Sequence, residues 1–198
     1  LSGTDSDHFE IATNNQLKLK DTNSADYEVK DRYSVTVTAT GVDSSPVSSD
    51  FTLTVTDVNE APTDITLSSS TMEENSAAGT VVGNLSATDP DVGDTHSFSV
   101  VSGTGSSLFE INANNQLVVK PGVVIDYETF HPLTIWDPGV LVAQPPSQPT
   151  VTIRTTDHAG LTFDKTFTVT VTDVNETPTI IISDNLSLAE NNAGAHVV

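Results

Sequence analysis

The chain has 198 residues, 27 Asp+Glu against 7 Lys+Arg, a formal net charge of -20 and no cysteine. So acidic a chain repels nucleic acid and anionic membrane surfaces, and the missing thiols exclude a disulfide framework, a thiolate metal site and a cysteine nucleophile. No apolar run is long enough to span a bilayer and Leu1 does not open a signal peptide, so the segment is expected to start and end inside a larger protein and not itself to span a membrane. Along the chain, Phe51–Thr56 alternates apolar residues with threonine and reads as a strand. Further strands are predicted over Ile65–Ser68, Thr80–Ala87, Ser97–Val101, Phe109–Ile111, Leu117–Lys120, Val151–Thr155 and Thr166–Thr172. Asn114-Asn115 marks a hairpin-type turn, and Phe167, Val169 and Val171 are expected to face the core. Nothing has convincing helical periodicity, and short strands at regular spacing predict an all-β sandwich.

The chain repeats itself. Phe9-Glu10-Ile11 returns at Phe109, Asn14-Asn15-Gln16-Leu17 at Asn114 and Asp26-Tyr27-Glu28 at Asp126, each offset by 100 (109 − 9). Asp57-Val58-Asn59-Glu60 returns at Asp173, offset by 116 (173 − 57), so the second copy carries an insertion of 16 residues (116 − 100). Glu74-Asn75 returns at Glu190-Asn191 with the same offset of 116 (190 − 74). These offsets predict the end of one repeat over 1–60, a complete repeat over 61–176 and the start of a third over 177–198. The insertion, near 136–149, holds the single tryptophan, Trp136, and the prolines Pro138, Pro145, Pro146 and Pro149, and reads as an exposed loop.

Acidic motifs recur with the repeats. They are the Glu of Glu-Asn (Glu74, Glu190), Asp-Pro-Asp (Asp89, Asp91), Asp-Tyr-Glu (Asp26/Glu28, Asp126/Glu128), Thr-Thr-Asp (Asp157) and the linkers DVNEAPT and DVNETPT. Asp-x-Asp or Asp-x-Glu in a strand-like segment points both carboxylates to one side. Alone, each motif is most often a solvated loop; together at fixed offsets they point to a hard cation that takes oxygen ligands, Ca²⁺ above Mg²⁺. The five histidines, His8, His96, His131, His158 and His196, have no paired spacing, which argues against zinc.

The ordered set ENSAAGTVVGNLSATDPDVGD, FEI, NNQL, DYE, TTDHAG and DVNETPT resembles the cadherin family, and most of all bacterial cadherin-like repeats of large surface proteins. The resemblance implies tandem Greek-key β-sandwiches of seven strands per complete repeat, with Ca²⁺ at each junction. It implies a first junction of Asp26, Glu28, Asp57, Asn59 and Glu60 with Asp89, Asp91 and Asp157 of the next repeat, and the carbonyls of Val58 and Ala61. A second would use Glu74, Asp126, Glu128, Asp173, Asn175 and Glu176; Glu190 is the matching glutamate of the third repeat, which a donated strand would bring to the first junction of another molecule. The linker departs from the Asp-x-Asn-Asp-Asn-x-Pro of animal cadherins, with Glu for one Asp and the last Asn lost.

The expected function is a Ca²⁺-rigidified spacer in homophilic or heterophilic cell adhesion, on an exported or cell-surface protein. Its partners would be neighbouring cadherin-like repeats and a surface protein or polysaccharide. The alternative is a carbohydrate- or protein-binding module that uses the Trp136 loop. Without a nucleophile motif or phosphate loop, an enzyme is not expected. A last expectation is self-association by strand donation, because 179–198 is the counterpart of 63–82 and could add to the edge of a first repeat in another molecule.

Overall fold

The computed structural model describes residues 1–42, 45–130, 133–136, 140–143 and 148–177, with 133–136 and 140–143 described by their backbone alone. After a 3₁₀ turn at Ser6–His8 come β1 (Phe9–Ile11) and β2 (Leu17–Leu19), an antiparallel hairpin with Phe9 opposite Leu19. Its turn places Asn15 at φ 58°, a left-handed conformation that asparagine tolerates better than most residues. β3 (Arg32–Ala39) and β4 (Val47–Thr54) form a second antiparallel pair, in register from Arg32–Thr54 to Ala39–Val47. Phe9, Tyr33 and Val35 make the small core between them, with Leu17, Leu19, Leu53 and Val55 against it. The Phe9 and Tyr33 rings meet edge-on at 5.6 Å.

Asp5 is buried beside this core, paired with Lys30 and accepting the Ser34 N–H at 2.7 Å. The Lys30 ammonium first, then the Ser34 N–H, holds its carboxyl below the ordinary carboxylate range. Lys165 does the same for Asp64, and Arg154 for Asp164. A carboxyl whose folded pKa is depressed contributes stability above its unfolded pKa, and that stability is lost as pH falls through the folded one. We therefore expect melting temperature to drop as pH is lowered through and below the ordinary aspartate range. Asp5→Asn should flatten that acid limb; an unchanged acid limb in this variant would remove Asp5 from the account.

The larger unit follows. β5 (Asp64–Leu67), β7 (Val81–Thr88), β10 (Gln116–Val119) and β9 (Phe109–Ile111) form one sheet, in the order β5-β7-β10-β9, and β6 (Thr71–Glu73) lies between β5 and β7 in sequence. β8 (Ser97–Ser102), β13 (Thr150–Thr156) and β14 (Thr162–Thr168) form the other, in the order β14-β13-β8. β15 (Thr170–Thr172) runs parallel to β6. With β5/β6 and β14/β15 each taken as one interrupted strand, this is the expected seven-stranded sandwich. Its core holds Ile65, Phe109, Leu117, Ile125, Ile153 and Val169 at 0% exposure; such side chains contribute roughly 1.5–3 kcal/mol each. Val169 and Val171 are fully buried and Phe167 packs against them, as the alternation predicts. Glycine is required at Gly103, where φ is 113° and a Cβ would lie 2.2 Å from the Thr150 carbonyl.

Three local readings change. The three-residue strand β6 was not expected. Asp126 leads not into a strand but into α1 (Tyr127–Phe130), a single helical turn. The loop expected over 136–149 begins instead within a hairpin, β11 (Leu133–Trp136) with β12 (Val140–Ala143). Those segments are rich in β-branched and aromatic residues, and they flank Asp137-Pro138-Gly139, a turn sequence. The excursion also ends early: Pro149 is fully buried, and the Gln148 side chain accepts the Val171 N–H at 2.8 Å. The Trp136 side chain, Glu190 and the segment 178–198, with its strand donation, lie outside the described residues.

Candidate metal centres

Among the described residues, the first linker gathers carboxylates from the chain on both sides, and the second from the unit before it and from the linker itself. At the first, oxygens of Glu28, Asp57, Glu60 and Asp91 all lie within 4.8 Å of one another. Three chain segments bring them there: the turn after Asp26, the linker itself, and the loop between β7 and β8. The Glu60 N–H donates to Asp91 at 2.9 Å. Asn59 crosses the junction, its Nδ2 donating to Asp157 at 2.7 Å, while its Oδ1 is buried without a partner. The second Asp157 oxygen accepts the Leu161 N–H at 2.7 Å. Burial raises the Asp157 carboxyl, but the Asn59 amide and backbone N–H groups outweigh it and leave the group below the ordinary range. Glu60 is pushed up, by burial first and then by the charges of Glu28, Asp91 and Asp57. Asp26 stands beside this group on a cavity of about 680 Å³ that Glu28 and Glu60 also line.

At the second linker the group is Glu74, Glu128, Asp173 and Glu176, again within 4.8 Å. Glu74 is its anchor, 3% exposed. One of its oxygens accepts the Val174 N–H of the linker at 2.6 Å and the other the Tyr127 N–H of α1 at 2.8 Å. Asn75, not singled out in the sequence, donates from Nδ2 to Glu176 at 2.6 Å. A backbone N–H pulls Glu128 down, but the Asp126 carboxyl, burial, and the charges of Glu74 and Glu176 leave it raised. Asp126 itself turns inward to cap its own helix turn, accepting from the Thr129 hydroxyl at 2.8 Å and the Glu128 N–H at 3.1 Å, so it is not in the group. Asn175 is exposed.

Asp89 separates from Asp91. Its Oδ1 accepts the Asp91 N–H at 3.0 Å and its Oδ2 lies 2.7 Å from His96 Nε2. The pair does not sit on a strand, so the alternation that would align the two carboxylates does not apply.

The donor chemistry fits a hard cation. Both linker groups offer carboxylate oxygen and, at the first, an orphaned amide oxygen, with no imidazole. Two oxygens bound to one Ca²⁺ at ~2.4 Å stand at most ~4.8 Å apart. Four carboxylates so close repel one another unless a cation lies among them.

No family model matches the chain. Cadherin-8 of Rattus norvegicus is 33% identical to it over 121 residues, 56% of this chain and 15% of the relative. Cadherin-24 of Mus musculus is 36% identical over 92 residues, 41% of this chain and 11% of the relative. The chain thus spans only a small part of the curated relatives it matches. Among solved structures, human protocadherin-24 EC1-2 superposes with a TM-score of 0.60 at 20% identity, covering 88% of this chain and 80% of that one. A protocadherin gammaB7 EC3-6 cis-dimer structure gives 0.58 at 24% identity, covering 94% and 43%. The relatives named here are mammalian, and the bacterial affiliation expected from the sequence is not borne out. Sheet order, linker sequence and these similarities agree: the chain is built of cadherin-like repeats.

Proposed function

We propose that this segment is a Ca²⁺-binding, Ca²⁺-stiffened spacer in the extracellular part of a cell-surface or exported adhesion protein. In this reading 1–60 closes one repeat, 61–176 is complete and 177–198 opens a third. The observation that carries it is the pair of four-carboxylate groups, each at a linker and each drawing on more than one segment. Glu28, Asp57, Glu60, Asp91, Asn59 and Asp157 would hold the first cation set, with Asp26 and Asp89 able to join by side-chain rotation. Glu74, Glu128, Asp173 and Glu176 would hold the second, with Asp126 and Asn175 beside them. Bound Ca²⁺ supplies positive charge and fixed coordination, and the chain's own residues set the angle at which neighbouring repeats meet. The carboxylates hold cations and carry no catalysis. Among the described residues no helix is long and apolar enough to cross a membrane.

Small-angle scattering tests this. With Ca²⁺ the radius of gyration should match a narrow, extended arrangement; in chelator the distribution should broaden. Asp91→Ala should give the broad profile even with Ca²⁺. Identical profiles in the two buffers would overturn the spacer reading.

A further inference from the structure

The hairpin β11–β12 lies in the stretch that the first repeat lacks, and every residue of it but Thr134 is apolar. Its register places Ile135 and Leu141 on one face and Trp136 and Val140 on the other, so both faces are apolar. Among the described residues β11 and β12 pair only with each other, and a two-stranded hairpin by itself is marginal in water. One neighbour covers one face; a hairpin apolar on both needs a second.

Its roots fix where it stands. On one side α1 is tied to Glu74 through the Tyr127 N–H, and Glu74 also holds the linker's Val174. On the other side Gln148 accepts the Val171 N–H, two residues before Asp173. Both roots are therefore at the second linker. The first junction shows what this point of a repeat faces. There Val29, next after Glu28, lines a cavity together with Pro90 of the following repeat. Pro90 stands beside the start of that repeat's first strand, because Thr88 pairs with Asp64. An excursion inserted after Asp126-Tyr127-Glu128 thus projects toward the start of the next repeat.

That start has an unusual sequence. In the complete repeat Ile65 is buried, and Asp64 and Thr66 lie on the opposite face of β5, Asp64 paired with Lys165 and the Thr66 hydroxyl with that of Ser86. The offset of 116 holds both at the linker and at Glu190, so Ile180 and Ile182 take the places of Asp64 (180 − 116) and Thr66 (182 − 116). Apolar residues at outward places of a strand break the pattern unless something covers them. The apolar hairpin and the outward isoleucines belong to the same junction, and the first junction has neither.

We propose that β11–β12 is a clasp that docks on the outward face of the next repeat's first strand, at Ile180 and Ile182. The occupant is within reach: Ile180 lies three residues beyond Thr177, about 10 Å of extended chain, and a four-residue strand spans about 13 Å. The clasp joins the two repeats by apolar contact, beside the acids of the second linker. It rests on the reading of 177–198 as the opening of a repeat, and not on bound Ca²⁺.

Hydrogen exchange of the full chain in Ca²⁺, read by mass spectrometry, tests this. Wild type is compared with Ile180→Asp/Ile182→Thr, which restores the residues of the complete repeat. Amides of 133–136 and 140–143 should be protected in the wild type and exchange about tenfold or more faster in the variant. Both substitutions lie outside 61–176, and β13 amides that exchange alike in the two proteins verify that the complete repeat is folded. Equal hairpin protection in both proteins, or a hairpin unprotected in the wild type, would overturn the clasp. Protection that falls on dilution would assign the cover to a second copy and overturn docking within the chain. The scattering experiment varies Ca²⁺ at fixed sequence and this one varies sequence at fixed Ca²⁺, so the two readings fail separately.

Discussion

Chelating Ca²⁺ should lower the melting temperature of the larger unit by roughly 10–20 °C. A linker site held at a hundredfold excess over its Kd stabilises the native state by about 2.7 kcal/mol. For a unit of about 100 residues, each kcal/mol is worth roughly 4–8 °C. The mechanism is relief of repulsion. Glu60 at the first linker is raised by burial first and then by the charges of Glu28, Asp91 and Asp57; Glu128 at the second, against a backbone N–H that lowers it, is raised by the Asp126 carboxyl, by burial and by the charges of Glu74 and Glu176, so both groups carry negative charge crowded together. A second divalent ion of smaller radius, Mg²⁺, should restore less, since it keeps more of its water. Equal melting curves in Ca²⁺ and in chelator would mean that neither group binds the ion.

The second large effect is expected at Glu74. Glu74→Ala should cost about 3–5 kcal/mol, most of it even without Ca²⁺, because one buried carboxylate joins the linker to α1 through two charge-assisted hydrogen bonds. Glu74→Gln separates structure from metal. Its amide oxygen still accepts one N–H, so the chelated protein should lose only about 1–2 kcal/mol. Without the charge, its gain on adding Ca²⁺ should shrink markedly. Thermal melts of both variants in both buffers check this. A Glu74→Gln protein that keeps the full Ca²⁺ increment would place the cation away from Glu74.

Much of the fold was legible because its signals are local. The Thr/apolar alternation of Thr166–Thr172 gives a strand whichever sheet it joins, and Asn115 declares its turn through a left-handed φ of 56°. The linker acids were legible through recurrence, since no single Asp-x-Glu distinguishes a ligand from a solvated loop. What escaped depends on contacts made at a distance. β6 is three residues long and exists because β15 lies beside it. Asp89 and Asp91 share a motif yet part company, because His96 takes one and the Glu60 N–H takes the other. Asp126 spends its oxygens on the first turn of α1, a role that the Asp-Tyr-Glu spacing does not announce.

The parallel pairing of β6 with β15 sets how the unit responds to tension. β6 lies near the entry of the unit, and β15 leads directly into the second linker. Pulled from opposite ends, two parallel strands slide along each other rather than peel apart. The register Thr71–Thr170, Met72–Val171 and Glu73–Thr172 is therefore loaded in shear, with its hydrogen bonds sharing the force at once. The flanking bonds, Thr170 N–H to Ser70 at 2.7 Å and Glu74 N–H to Thr172 at 3.1 Å, extend the same clasp. Beyond them the Glu74 carboxylate accepts the Val174 N–H, so part of the pull on the linker is shared with the residue that follows β6 before it reaches β15. A tether between surfaces is strongest when its entrance and exit are fastened to each other, and in this unit they are.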